Sequence, residues 1–236
     1  MNEKLILAHR GFSSISPENT KLSFDLAYLF GFDGVELDVH LTKDKKLVII
    51  HDENTIRTSK INSIISKSNL IDLEKQDMGA FWKLKLPNQK ILTLEEFLHL
   101  YIDKFKIINI EIKTDVEHYV DIEKIIYQVI LPFKDKWDKL VFSSFNFESL
   151  EILNQMDKNI QLAFLWWTKG QFNKIDPEKF KFIKYFNPWI EIYFKDIEKY
   201  DSFSKKYMFW TIKSSKSFKK FQKMEKAFCL ISNYLY

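Results

Sequence analysis

The chain has 236 residues, 46% of them apolar, a formal net charge of +4 and one cysteine, which is enough apolar material for one large core within a single α/β-barrel domain over 1–236. Lone Cys229 excludes an intramolecular disulfide and a cysteine-based zinc cluster, and the modest lysine-borne charge argues against a nucleic-acid partner. The first apolar run is too short for a signal-peptide core or a spanning helix, so the expected location is cytoplasmic.

That first run, residues 4–8, reads as a strand, and His9 and Arg10 stand at its carboxyl end. A loop then leads to a helix over 19–30, opened by Ser16-Pro17 or Asn19, since proline suits a first turn and serine or asparagine a cap. Further strands are expected at 34–39, 47–50, 106–112, 139–142, 160–165, 180–186, 207–212 and 227–231. Helical spacing marks 93–102, 116–131, 146–156 and 214–226. This repeated alternation argues for a parallel sheet with crossover helices. About eight repeats, five glycines in all and no Gly-rich phosphate loop favour a closed (β/α)8 TIM barrel over an open doubly wound sheet. The strand at 47–50 and the stretch 52–92 break the alternation and read as a small insertion between the second and third barrel units. After the last strand there is no room for a closing helix.

Residues 195–226 hold ten lysines against four acidic residues. Phe218, Phe221 and Met224 share one helix face there, so the lysines read as the solvated side of an outer helix. Weak attraction to an anionic membrane surface is the alternative.

The run "GVELDVHLTKDKKLVIIHD" carries the first chemistry. In a strand Glu36 and Asp38 point to one face while Val35 and Leu37 point to the other. Two carboxylates held this close repel; unless one is protonated, a cation is the usual remedy, and hard oxygen ligands favour Mg²⁺ or Ca²⁺. Glu111 and Lys113 in "NIEIKT" repeat the arrangement, and His51 ends the run 47–50. His9, Arg10, Glu36, Asp38, His51, Glu111 and Lys113 all fall at or near carboxyl ends of strands, the face on which barrel enzymes build their sites. Two histidines, three carboxylates and two fixed cations suit hydrolysis of an anionic phosphodiester. His40, just past the carboxylate pair, is read as lying on the opposite side from position 36 and is given no role. His99 and His118, in helical polar settings, are given none either.

The ordered set His9-Arg10-Gly11, Pro17-Glu18-Asn19-Thr20, Glu36-Leu37-Asp38-Val39, Leu41-Thr42-Lys43-Asp44 and Val48 to His51-Asp52 resembles the signature of the glycerophosphodiester phosphodiesterase family. The likeness continues through "DLEKQDMGAFW", Thr93-Leu94-Glu95-Glu96, Glu111-Ile112-Lys113, Ser144-Phe145 and Trp210-Thr211. It implies a metal-dependent (β/α)8 barrel that cleaves small-molecule glycerophosphodiesters, such as glycerophosphocholine, to glycerol 3-phosphate and an alcohol. By the same resemblance Glu36, Asp38 and Glu111 would bind one divalent cation, and His9 and His51 would move protons. Arg10 and Lys113 would hold phosphate oxygens, and Trp210 would wall the pocket. The chain departs from the family at Asn233, where aspartate is common, and at Lys213, where asparagine is common; both departures are read as affecting the pocket rim and barrel closure. Two alternatives stay open: a lysophospholipase D or sphingomyelinase D type of activity, with Phe81-Trp82 and Trp166-Trp167 taking acyl chains, and a catalytically silent binding paralogue.

Overall fold

The computed structural model describes residues 4–236. Strand β1 (Leu5–His9) is followed by helix α1 (Lys21–Leu29), β2 (Gly34–Leu41) and β3 (Leu47–Ile49). Short helices α2 (Ile56–Ser59) and α3 (Leu70–Leu73) precede α4 (Leu94–Tyr101) and β4 (Ile107–Ile112). The chain then alternates: α5 (Ile122–Ile130), β5 (Leu140–Ser144), α6 (Phe147–Met156), β6 (Gln161–Trp166), α7 (Lys169–Asn173) and β7 (Tyr185–Pro188). Helices α8 (Ile190–Tyr193) and α9 (Ile197–Asp201), β8 (Lys206–Ile212), α10 (Ser215–Gln222) and β9 (Ala227–Ser232) complete it.

All the described strands except β3 run parallel and close into a (β/α)8 barrel, because β1 pairs with β2 on one side and with β9 on the other. The barrel therefore closes on its final strand. β3 lies antiparallel on β2, with Val39 opposite Ile49. Gly34 permits close packing at the start of β2, where a Cβ would meet the Ile107 carbonyl oxygen at 2.1 Å.

Period-two alternation sorts each barrel strand into two environments. Val35, Leu37 and Val39 of β2 and Ile108, Ile110 and Ile112 of β4 pack outward against Phe24, Phe97, Leu98 and Tyr101. Burying each such side chain contributes about 1.5–3 kcal/mol before entropy is counted. A smaller inner cluster, including Leu7, Val141, Met208, Cys229 and Ile231, plugs the barrel interior. The same alternation leaves Glu36, Asp38 and Glu111 on the inward face.

Several boundaries differ from the sequence reading. α1 begins at Lys21 with Thr20 as its cap in a reciprocal capping box with Ser23. Ser16 and Asn19 are engaged elsewhere: the Ser16 hydroxyl donates to the Phe12 carbonyl and the Asn19 amide to Asp38. Residues 180–182, expected in a strand, belong to a 3-10 helix (Pro177–Phe182). Asp176 caps it and proline supplies its first-turn φ, so local turn chemistry overrides the apolar run. α5 starts only at Ile122, leaving His118 in the preceding loop. The stretch 52–92 follows β3 and precedes α4, which puts it between the second barrel strand and that strand's own crossover helix. α10 buries Phe218 and Phe221 and exposes Lys216, Lys219 and Lys220. Among the described residues no helix is long and apolar enough to cross a membrane.

Candidate active site

Parallel pairing brings the acidic residues together. Asp38 on β2 is in register with Glu111 on β4, and Glu36 is in register with His9 on β1. Oxygen atoms of Glu36, Asp38 and Glu111 all lie within 4.8 Å of one another, and the three side chains are buried. Lys113 caps the group from one side, with Nζ 2.6 Å from Glu111 Oε1 and 3.3 Å from Asp38 Oδ1. Arg10 approaches from the other, its Nε 3.5 Å from Asp38 Oδ2.

Arg10 reaches this position through a left-handed turn, φ 57° at Arg10 and 75° at Gly11. Its backbone N–H donates to Glu36 Oε2 at 3.0 Å and to the Glu36 carbonyl at 2.9 Å. Glycine is required next, since a Cβ at Gly11 would meet Ser23 Oγ at 2.3 Å.

Charge balance distinguishes the three carboxylates. Burial pushes Asp38 upward, but Lys113 and Arg10 overcome it and hold its carboxyl well below the usual range. Glu36 moves the other way: burial first, then the neighbouring Asp38 and Glu111, push it well above the usual glutamate range. Glu111 is also raised by burial, despite the lysine beside it. Two fixed cations thus fall short of three carboxylates, and the shortfall rests on Glu36. An all-oxygen donor set with uncompensated negative charge suits a hard divalent ion, and the residues present fit one. With a divalent ion added, the cluster would carry net positive charge, complementary to a phosphodiester monoanion.

Both imidazoles are oriented through Nδ1. His9 Nδ1 donates to Asn233 Oδ1 at 2.6 Å, and His9 Nε2 lies 3.8 Å from Glu36 Oε2. Burial, then the adjacent Arg10 charge, pull His9 down to about 3, so its ring is neutral at ordinary pH. His51 Nδ1 donates to Asp52 Oδ1 at 2.7 Å. In each ring Nε2 remains for other chemistry.

His9, His51, Lys113, Phe145, Trp167 and Trp210 are among the residues lining one cavity of about 240 Å³. The Trp210 indole donates to the Asn187 carbonyl at 2.9 Å, and Phe145 packs against both Trp167 and Trp210. Of the four aromatics considered for acyl chains, Trp167 lines this cavity, Trp166 is fully buried in the core, and Phe81 and Trp82 pack on each other in the 52–92 segment.

Some residues with a place in the site were passed over or misplaced in the sequence. His40 is two residues beyond Asp38 on β2 and therefore on the same side of the strand, contrary to the sequence reading. It is fully buried, donates from Nε2 to the His51 carbonyl at 3.0 Å and accepts the Tyr119 hydroxyl at Nδ1 at 2.7 Å, which anchors the His51 main chain. Asn233 holds His9 rather than a pocket rim. Asn19 donates to Asp38 Oδ2 at 2.9 Å and Glu18 accepts from Arg10 Nη1 at 3.0 Å. The period-two rule alone would have found His40.

The family model described as Glycerophosphoryl diester phosphodiesterase family matches residues 9–226. The chain is 48% identical to an uncharacterized protein of Mycoplasma genitalium, over 98% of this chain and 96% of that one. It is 37% identical to a glycerophosphodiester phosphodiesterase of Caldanaerobacter subterraneus, over 69% of this chain and 66% of that one. An Oleispira antarctica phosphodiesterase, solved in complex with the product sn-glycerol-3-phosphate, superposes with a TM-score of 0.82 at 24% identity, covering 98% of this chain and 94% of the other. With the family model matching residues 9–226 of the chain, this chain belongs to the glycerophosphoryl diester phosphodiesterase family of phosphodiester hydrolases.

Proposed function

We propose that the protein hydrolyses glycerophosphodiesters such as glycerophosphocholine to glycerol 3-phosphate and an alcohol, using one divalent cation, Mg²⁺ or Ca²⁺, held by Glu36, Asp38 and Glu111. The observation that carries this reading is the gathering of three buried carboxylates within 4.8 Å, two of which, Glu36 and Glu111, line the cavity that two oriented imidazoles share. The Oleispira antarctica relative in complex with sn-glycerol-3-phosphate supports the same product here.

A phosphodiester monoanion repels nucleophiles, so its charge has to be offset before attack. When bound, the cation supplies Lewis-acid charge to the phosphate oxygens. Lys113 adds a fixed ammonium, and Arg10, with Nη1 engaged by Glu18, presents its other terminal nitrogen to a phosphate oxygen. A preorganised contact of this kind is worth about 3–4 kcal/mol where negative charge grows in the transition state. His9, neutral and with Nδ1 engaged, accepts a proton at Nε2 from the nucleophile, either water or the glycerol 2-hydroxyl; attack by the hydroxyl gives a cyclic phosphate, which water then opens to glycerol 3-phosphate in a second step. His51 returns a proton from Nε2 to the departing alkoxide as the phosphorus–oxygen bond breaks. Trp210 and Phe145 supply an apolar wall for the glycerol or the leaving group.

The test is incubation with glycerophosphocholine and Mg²⁺ or Ca²⁺, with and without chelator, following release of glycerol 3-phosphate. Release that stops with chelator is expected. No glycerol 3-phosphate with any divalent ion, alongside cleavage of lysophosphatidylcholine, would move the assignment to a lysophospholipase D type of activity.

A further inference from the structure

The chain has two arginines, and both end on the same carboxylate. Arg57, on α2, donates from Nη1 and Nη2 to Glu18 at 2.7 and 2.8 Å. The same guanidinium donates from Nε and Nη2 to Asp52 at 2.6 and 3.1 Å. Glu18 also accepts from Arg10 and Asp52 from His51, so an unbroken path runs Arg10, Glu18, Arg57, Asp52, His51. Its ends are the phosphate-gripping cation and the proton donor of the reaction proposed above.

Fold stability is a weak reason for this arrangement. The Arg57 side chain is 39% exposed, and ion pairs at that exposure contribute little to stability. Its geometry is selective, however. A planar fork bonded to two carboxylates at once fixes the plane of each, which a lysine ammonium at the same position cannot do. With Asp52 fixed, the His51 Nδ1–H has one place to point and Nε2 stays open to the cavity. With Glu18 fixed, Arg10 Nη1 is held and its guanidinium plane is set. α2 lies in the 52–92 segment, which gives that segment a share in the site.

We propose that Arg57 is a positioning residue that sets the His51 ring and the Arg10 guanidinium together, so that proton delivery and phosphate grip are preorganised as one unit. This rests on the phosphodiesterase reading, in which Arg10 and His51 carry those roles. Removing outer partners of this kind lowers activity about 10–100-fold in comparable sites.

The experiment compares wild type, Arg57→Ala, Arg57→Lys and Asp52→Asn, each loaded with Mg²⁺ or Ca²⁺, by steady-state kinetics with glycerophosphocholine and by ¹⁵N NMR of the imidazoles. Expected are a loss in kcat/KM of about 10–100-fold for Arg57→Ala, little recovery in Arg57→Lys, and partial restoration of Arg57→Ala by added guanidinium ion. Recorded at a pH where the ring is neutral, the His51 signal should change from a single Nδ1–H tautomer to a mixture in Arg57→Ala. Wild-type kcat/KM in Arg57→Ala, or an unchanged His51 signal, would overturn the proposal. If Arg57→Ala does not fold, wild-type kinetics and signals in Arg57→Lys would overturn it equally. An inactive wild type would sink the phosphodiesterase reading instead, and the imidazole signals would still decide whether Arg57 orders His51.

Discussion

His9 at the end of β1 and Asn233 just beyond β9 are 224 residues apart in sequence and joined by a 2.6 Å hydrogen bond from Nδ1 to Oδ1. Barrel closure makes the bond, because β1 and β9 are neighbours with Ala8 opposite Ser232. The amide orients the ring and favours its protonated form to a small degree, but burial and then the Arg10 charge outweigh it and pull the ring down to about 3. Asn233→Ala should keep the fold and lower kcat by about 10–100-fold through loss of the orienting partner. Asn233→Asp should raise the basicity of His9, since a carboxylate favours the imidazolium. The acid limb of its kcat/KM profile is therefore expected at higher pH than in wild type, and coincident profiles would show that residue 233 does not act through His9.

Cation binding should appear as stability. Glu36 has a folded-state pKa above its unfolded value, so without cation its contribution is present below the unfolded pKa and is lost as pH rises through the folded one. A bound cation reverses that loss, because it favours the ionised carboxylates. At a hundredfold excess over its Kd, Mg²⁺ or Ca²⁺ should stabilise by about 2.7 kcal/mol, a rise in Tm of about 5–10 °C for a chain of this size. Thermal melts should show the rise at pH 8, a smaller one at pH 5, and none in Glu36→Gln. An equal rise in Glu36→Gln would locate the ion elsewhere.

His40 should make the fold acid-sensitive. Burial pulls it down to about 4, below its unfolded value near 6.5, so its contribution is intact above the unfolded pKa and is lost as pH falls toward 4. At pH 4.5 this costs about 2–3 kcal/mol, the larger part of the linkage term for a wholly buried ring. Denaturant titrations at pH 7 and 4.5 should show a smaller drop for His40→Gln than for wild type. The variant should also lose turnover at pH 7, since the His51 main chain would lose its imidazole donor.

Short-range periodicity made much of the site legible. Glu36 and Asp38, or Glu111 and Lys113, share a face because strand side chains repeat every two residues, and the end of the apolar run 4–8 placed His9 and Arg10 where β1 ends. Where local turn chemistry competed with an apolar pattern, as at 177–182, pattern reading failed. The capping of α1 at Thr20 was hidden for a different reason: Asn19, a good cap by type, is drawn to Asp38 by the electrostatics of a site assembled from distant strands.

The amino-acid sequence by itself determined the alternation of strands and helices, the parallel barrel they imply, and which polar side chains stand at strand ends, because each depends on residues a few positions apart. Tertiary structure alone decided which of those ends meet. The Asp38–Glu111 register, the reach of Asn233 to His9 and the clamp of Arg57 on Glu18 and Asp52 arise from the lateral order and closure of the strands, which no local spacing encodes.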